Sequence, residues 1–189
     1  MTRTVRSIPV EFSTREEGES RTIEGYFAVF GTNYEIAPGM SESIAPGAFS
    51  RSLASNDVRA LINHDTTLVL GRTKAGTLEL RETEHGLWGR IDINPNDVDA
   101  VNLYERVKRG DVDQCSFGFE IRSQDTDIRE DGSIHWTLKD VELYEVSACT
   151  FPAYEETSIS ARAKERDDIK EREAEAWREK MTRRIESWH

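Results

Sequence analysis

The chain has 189 residues, of which 36 are acidic and 25 basic, giving a formal net charge of -11. That length supports one self-sufficient core plus an appendage, and the acidity repels a phosphate backbone, so nucleic acid is not an expected partner. Cys115 and Cys149 each stand alone in their segments, without zinc-ligand spacing or a disulfide framework, and read as reduced thiols. No window approaches the roughly 20 apolar residues of a membrane span, and the first residues lack the apolar stretch of a signal peptide, so a non-exported protein without membrane association is expected.

From Ile8 to about Ser160, short alternating segments are broken by glycine and proline, which predicts a mostly-β domain with a few helices inserted. The predicted strands are Arg21 to Phe30, Val58 to Asn63, Thr77 to Glu82, Gly86 to Ile93, Gln114 to Arg122, Ser133 to Leu138 and Asp140 to Phe151. About seven strands of this size suit a barrel or a sandwich. A short helix entered through proline is expected after Ala45-Pro-Gly-Ala-Phe49. A longer one is expected where Asn94 or Asn96 caps Val98, Val101, Tyr104 and Val107, ending at Gly110. From Ala161 to His189 the composition changes: 17 of 29 residues are charged, with no glycine or proline. This predicts a separate helical tail after a β domain of residues 1–160. Ile169, Trp177, Met181 and Ile185 form a narrow apolar stripe on that tail, suited to packing, docking or self-association. Residues 1–160 carry a net -12, so the acidity belongs to the β domain.

Three segments could carry chemistry. Strand alternation puts His64 at the end of the apolar row Val58, Ala60, Ile62, and turns Asp65 the other way. In Gln114 to Glu120, Cys115, Phe117 and Phe119 share a face while Ser116 and Gly118 share the other, leaving room for a carbonyl to approach a serine nucleophile. A thiolate is the stronger nucleophile, but the same alternation reads Cys115 as core. Along Asp140 to Phe151, Glu145 shares a face with Val141, Leu143 and Cys149, where a carboxylate needs a partner such as a histidine N–H; Asp140 and Glu142 share the opposite face. Taken singly, His64 and Ser116 are more commonly structural. His85, His135 and His189 have no second ligand nearby in sequence, so neither a metal nor a cofactor is expected.

The ordered segments Glu24-Gly-Tyr-Phe-Ala-Val-Phe-Gly31, Ala45 to Phe49, Asn63-His-Asp65, Gly71-Arg72, Ser116-Phe-Gly-Phe119, Leu143-Tyr-Glu-Val-Ser147 and Thr150-Phe-Pro-Ala153 resemble the phage prohead serine proteases, which are related in fold to the herpesvirus assemblins. The resemblance implies a partly open, assemblin-like β-barrel with surrounding helices, followed by the charged C-terminal helix. It also implies a serine endopeptidase that processes the major capsid protein precursor and its scaffolding segment, and itself, inside the assembling prohead in the host cytoplasm. His64 falls on the family's general base and Ser116 on its nucleophile. Glu145 falls where the assemblins carry a second histidine, with Glu142 and Asp140 as alternatives for the third member. The assemblins' arginine for the oxyanion is missing from Phe151-Pro-Ala-Tyr154, which leaves backbone N–H groups near Ala153 or Tyr154 as candidates. A homodimer is expected. The competing reading is a non-catalytic capsid assembly or scaffolding factor with a degenerate protease fold.

Overall fold

In the computed structural model, which describes residues 4–9, 12–17, 20–151 and 156–186, eleven strands form two sheets around one main core. The chain runs through β1 (Thr4–Pro9), β2 (Ser13–Glu17), β3 (Ser20–Val29), β4 (Tyr34–Ala37), β5 (Met40–Ile44), α1 (Ser50–Ser55), β6 (Arg59–Ile62) and β7 (Asp65–Arg72). It continues through β8 (Leu78–Glu82), β9 (Gly86–Ile93), α2 (Val98–Arg109), β10 (Gln114–Ile128), β11 (Ile134–Cys149) and α3 (Glu156–Glu186). One sheet has the order β1-β10-β11-β5-β4, with β6 and β7 attached through β11; the other is β2-β3-β9-β8. The mostly-β expectation holds, but the strands number eleven rather than seven, and the two sheets do not close into a barrel among the described residues.

The extra strands have physical causes. The two segments expected at Ser133 to Leu138 and Asp140 to Phe151 are one 16-residue strand, because β10 pairs along nearly its whole length. Its first half pairs in parallel with β5 and its second half with β6. β4, β5 and β7 lack clean alternation, and neighbouring strands supply the hydrogen bonds that their propensities do not advertise. The helix cap is Asp97, whose side chain accepts from Asp99 and Ala100 N–H; Asn94 instead accepts from Asn96 N–H one turn earlier. Gly110 ends α2 in the left-handed region, φ 86°, where a side chain would be strained.

α3 begins at Glu156 and runs continuously past Ser160. Its first turns are seated on the β domain: Ala163 and Ile169 pack on Met40, Ile134 and Trp136. Arg162, 5% exposed, donates to Glu42 at 2.5 Å and lies over the Trp136 ring. Farther along, Trp177 and Met181 are exposed, and the Ile185 side chain lies outside the described residues.

Glu42 is fully buried and also accepts from Arg6 Nε at 2.7 Å, so one carboxylate joins β1, β5 and α3. Burial pushes its carboxyl up, but the guanidiniums of Arg6 and Arg162 outweigh burial and hold it below the usual range. Its contribution is therefore full above its ordinary value of 4.5 and is lost as pH falls through the lower folded value. Glu42→Ala, which takes the carboxylate from Arg6 and leaves Arg162 only its pair with Glu165, should destabilise the protein by about 3–5 kcal/mol and lower Tm by roughly 10 °C at pH 7. The gap between wild type and variant should shrink as melts are repeated toward pH 3. An unchanged Tm at pH 7 would contradict this role.

Candidate active site

The β6–β7 hairpin turns through Asn63 and His64, with φ of 49° and 61°, between the paired residues Ile62 and Asp65. Two successive left-handed residues are what a two-residue type I′ turn requires, and asparagine tolerates that region well. Asn63 also stitches the turn to the end of β11: its N–H donates to Ala148 O at 3.0 Å, and its Oδ1 accepts from Thr150 N–H at 2.9 Å. His64 is thus not the last residue of an apolar row. Val58, Ala60 and Ile62 enter the core, while the turn carries the imidazole to the opposite side of the sheet.

There His64 Nδ1 lies 2.7 Å from Glu145 Oε1. A carboxylate only accepts, so Nδ1 carries the proton and Nε2 is left as the basic nitrogen. Glu145 reaches this side through a bulge. Gly118 pairs with Glu145 but Phe119 with Leu143, so Tyr144 is an extra residue and the alternation of β11 flips there. Val141 and Leu143 lie in the core before the bulge and Val146 and Ala148 after it. This corrects the expected face: Glu145 does not share one with Val141 and Leu143. It is still only 2% exposed.

Ser116 stands directly opposite Ser147 in the β10–β11 ladder, and Ser147 touches both His64 and Glu145. Facing residues in antiparallel strands project to one side about 5 Å apart, which brings Ser116 next to the His–Glu pair. Its hydroxyl donates to Arg6 O on β1 at 2.8 Å rather than to His64. Cys115, Phe117 and Phe119 fill the core on the other face, as alternation predicts.

The sequence profile of the caudovirus prohead serine proteases matches residues 9–172, most of the chain. This chain belongs to that family. Among curated relatives, the prohead protease of Enterobacteria phage HK97 is 34% identical over 148 residues, covering 77% of this chain and 61% of the relative. The aligned part thus spans less than two thirds of that protein. Among solved structures, the capsid assembly protease of bacteriophage T4 superposes with a TM-score of 0.51 over 79% of this chain and 98% of the other, at 11% identity, a likeness of fold.

In this family member the other acids are engaged elsewhere. Glu142 accepts from Asn56 at 2.6 Å and from Arg51 at 2.8 Å, bonds that hold its carboxyl below the usual range, and Asp140 pairs with Arg51 at 3.0 Å. Asp65 accepts from Thr67. His135 lies between Ser41 and Ser43, and His85 packs edge-on against Tyr26. The oxyanion candidates Ala153 and Tyr154, like the terminal His189, lie outside the described residues. A cavity of about 490 Å³ opens beside Glu145, walled in part by Leu61, Val69, Tyr144 and Arg59.

Two site neighbours escaped sequence reasoning in their roles. Ser147 lies two residues from Glu145, which in a strand means the same face, and that spacing was the available signal. Cys149 Sγ sits 3.8 Å from His64 Nε2. Burial first and the Glu145 charge second push its thiol up to about 12, so at neutral pH it stays protonated. Cys149→Ala should therefore leave hydrolysis within about threefold of wild type, measured as initial rate on a cleavable substrate. A loss of two orders of magnitude would make Cys149 the nucleophile.

Proposed function

We propose that this chain is a serine endopeptidase that cleaves the major capsid protein precursor and its scaffolding segment, and itself, within the assembling prohead. The observation that carries the reading is the His64 Nδ1–Glu145 Oε1 pair at 2.7 Å with Ser116 one strand away on the same face. In the reaction, the Ser116 hydroxyl rotates from Arg6 O toward His64 Nε2, which takes its proton as the alkoxide attacks the scissile carbonyl. Glu145 holds the tautomer and stabilises the imidazolium. His64 then protonates the leaving amine, and water, deprotonated by the same nitrogen, hydrolyses the acyl-enzyme. The likeness to the prohead protease of HK97 and to the capsid assembly protease of T4 supports the substrate class.

The finer architecture follows the same reading. Contacts of β10 with β3 and of β7 with β9 bring the two sheets together around the shared core, which supports an assemblin-like, partly open barrel. Residues 1–160 are the catalytic domain and residues 161–189 a tail whose first turns are anchored. The exposed Trp177 and Met181 support a contact of the tail with the capsid precursor, and a homodimer is the proposed solution state.

One observation favours a scaffolding role without catalysis: the Ser116 hydroxyl is bonded to Arg6 O, as an idle serine would be. Co-expression with the capsid precursor separates the two. With the wild-type chain, intact mass should show a shortened precursor; with His64→Ala, the full-length one. Equal masses in both would leave only the scaffold.

A further inference from the structure

Ser147 is fully buried on β11, between Glu145 and Cys149 and across from Ser116. Its hydroxyl donates to Glu145 Oε2 at 2.5 Å, and its oxygen accepts from the His64 backbone N–H at 3.3 Å. The same oxygen is 3.3 Å from His64 Nδ1. The two carboxylate oxygens are thus divided between partners, Oε1 taking the imidazole and Oε2 taking Ser147. A glutamate side chain has three rotatable bonds, and only its far end meets the imidazole. A second, charge-assisted bond to a residue fixed in the same strand removes most of that freedom.

The geometry points to Ser147 as a positioning residue for hydrolysis, locking the Glu145 carboxylate and the His64 turn into one frame so that Nε2 is presented to the nucleophile. This rests on the catalytic reading above. Ser147 is not itself the nucleophile, because its proton is committed to Glu145 and it lies on the Nδ1 side of the ring. Without Ser147 the carboxylate charge concentrates on Oε1 and holds the imidazole proton more tightly. His64 then becomes a working base only at higher pH.

The test uses a fluorophosphonate, which phosphonylates an activated serine and needs no known cleavage sequence, on the full chain followed by intact mass across pH. Wild type should be labelled once. Ser147→Ala should lower the maximal labelling rate about 10- to 100-fold, leave the half-saturating concentration within about threefold, and move the acid limb of the profile to higher pH. Ser147→Thr and Ser147→Val have the same shape and differ in the hydroxyl. Thr should label faster than Val with its acid limb nearer wild type, a contrast that packing damage alone does not produce. If Ala labels at the wild-type rate with an unmoved profile, or if Thr and Val behave alike, the positioning role is wrong while the catalytic reading stands. If wild type is not labelled at all, the catalytic reading falls and takes this role with it.

Discussion

Ser116→Ala should lower peptide-bond hydrolysis by about four to six orders of magnitude, measured as the initial rate of capsid-precursor cleavage at pH 7 to 8. The size of the effect follows from the absence of a substitute among the described residues beside His64. Ser147 spends its proton on Glu145, Cys149 is held as a thiol, and Cys115 lies in the core with its Sγ 3.2 Å from Tyr26 O. The substitution removes one hydrogen bond, to Arg6 O, and should cost only about 1 kcal/mol of stability. A melt close to wild type with no activity is therefore the expected pair of results. Activity within tenfold of wild type would move the nucleophile elsewhere.

Glu145→Gln should lower kcat by about 10³- to 10⁴-fold with little change in KM. A carboxylate offers two acceptor oxygens, and here both are used, by the imidazole Nδ1–H and by the Ser147 hydroxyl. Glutamine offers one acceptor and an NH₂. If its oxygen faces Ser147, its NH₂ faces Nδ1, which must then accept, and the ring proton moves to Nε2, where it blocks the base. If its oxygen faces Nδ1, its NH₂ confronts the Ser147 proton. Glu142→Gln is the control. That side chain is occupied by Asn56, Arg51 and Arg122, so its neutralisation should change kcat less than about threefold. Equal, small effects of the two substitutions would remove Glu145 from the catalytic set.

The strands with clean alternation, β3, β8, β9 and the start of β10, were readable to within a residue or two, because their inward positions form one core. The Ser116 face was readable for the same reason. His64 and Glu145 were picked out as residues, but their directions were not. Two consecutive positive-φ residues reverse His64 at the hairpin, and one extra residue at Tyr144 reverses Glu145. Neither device has a composition signature: an Asn-His pair reads as strand end, and a bulge is defined by its partner strand rather than by its own side chains. The buried acid meets His64 and Ser147, while Val141 and Leu143 of its own strand lie in the core on the other side of the bulge. β5, β7 and the three-way Glu42 junction depend on long-range partners and were not visible locally.

Peptide mapping of the adduct formed by a fluorophosphonate at pH 7.5 tests the arrangement most directly, since the reagent marks whichever hydroxyl the imidazole activates. The expected result is a single modification on the peptide containing Ser116, absent in His64→Ala. Modification of Ser147 instead, or labelling of Ser116 that persists undiminished without His64, would contradict a centre built from Ser116, His64 and Glu145.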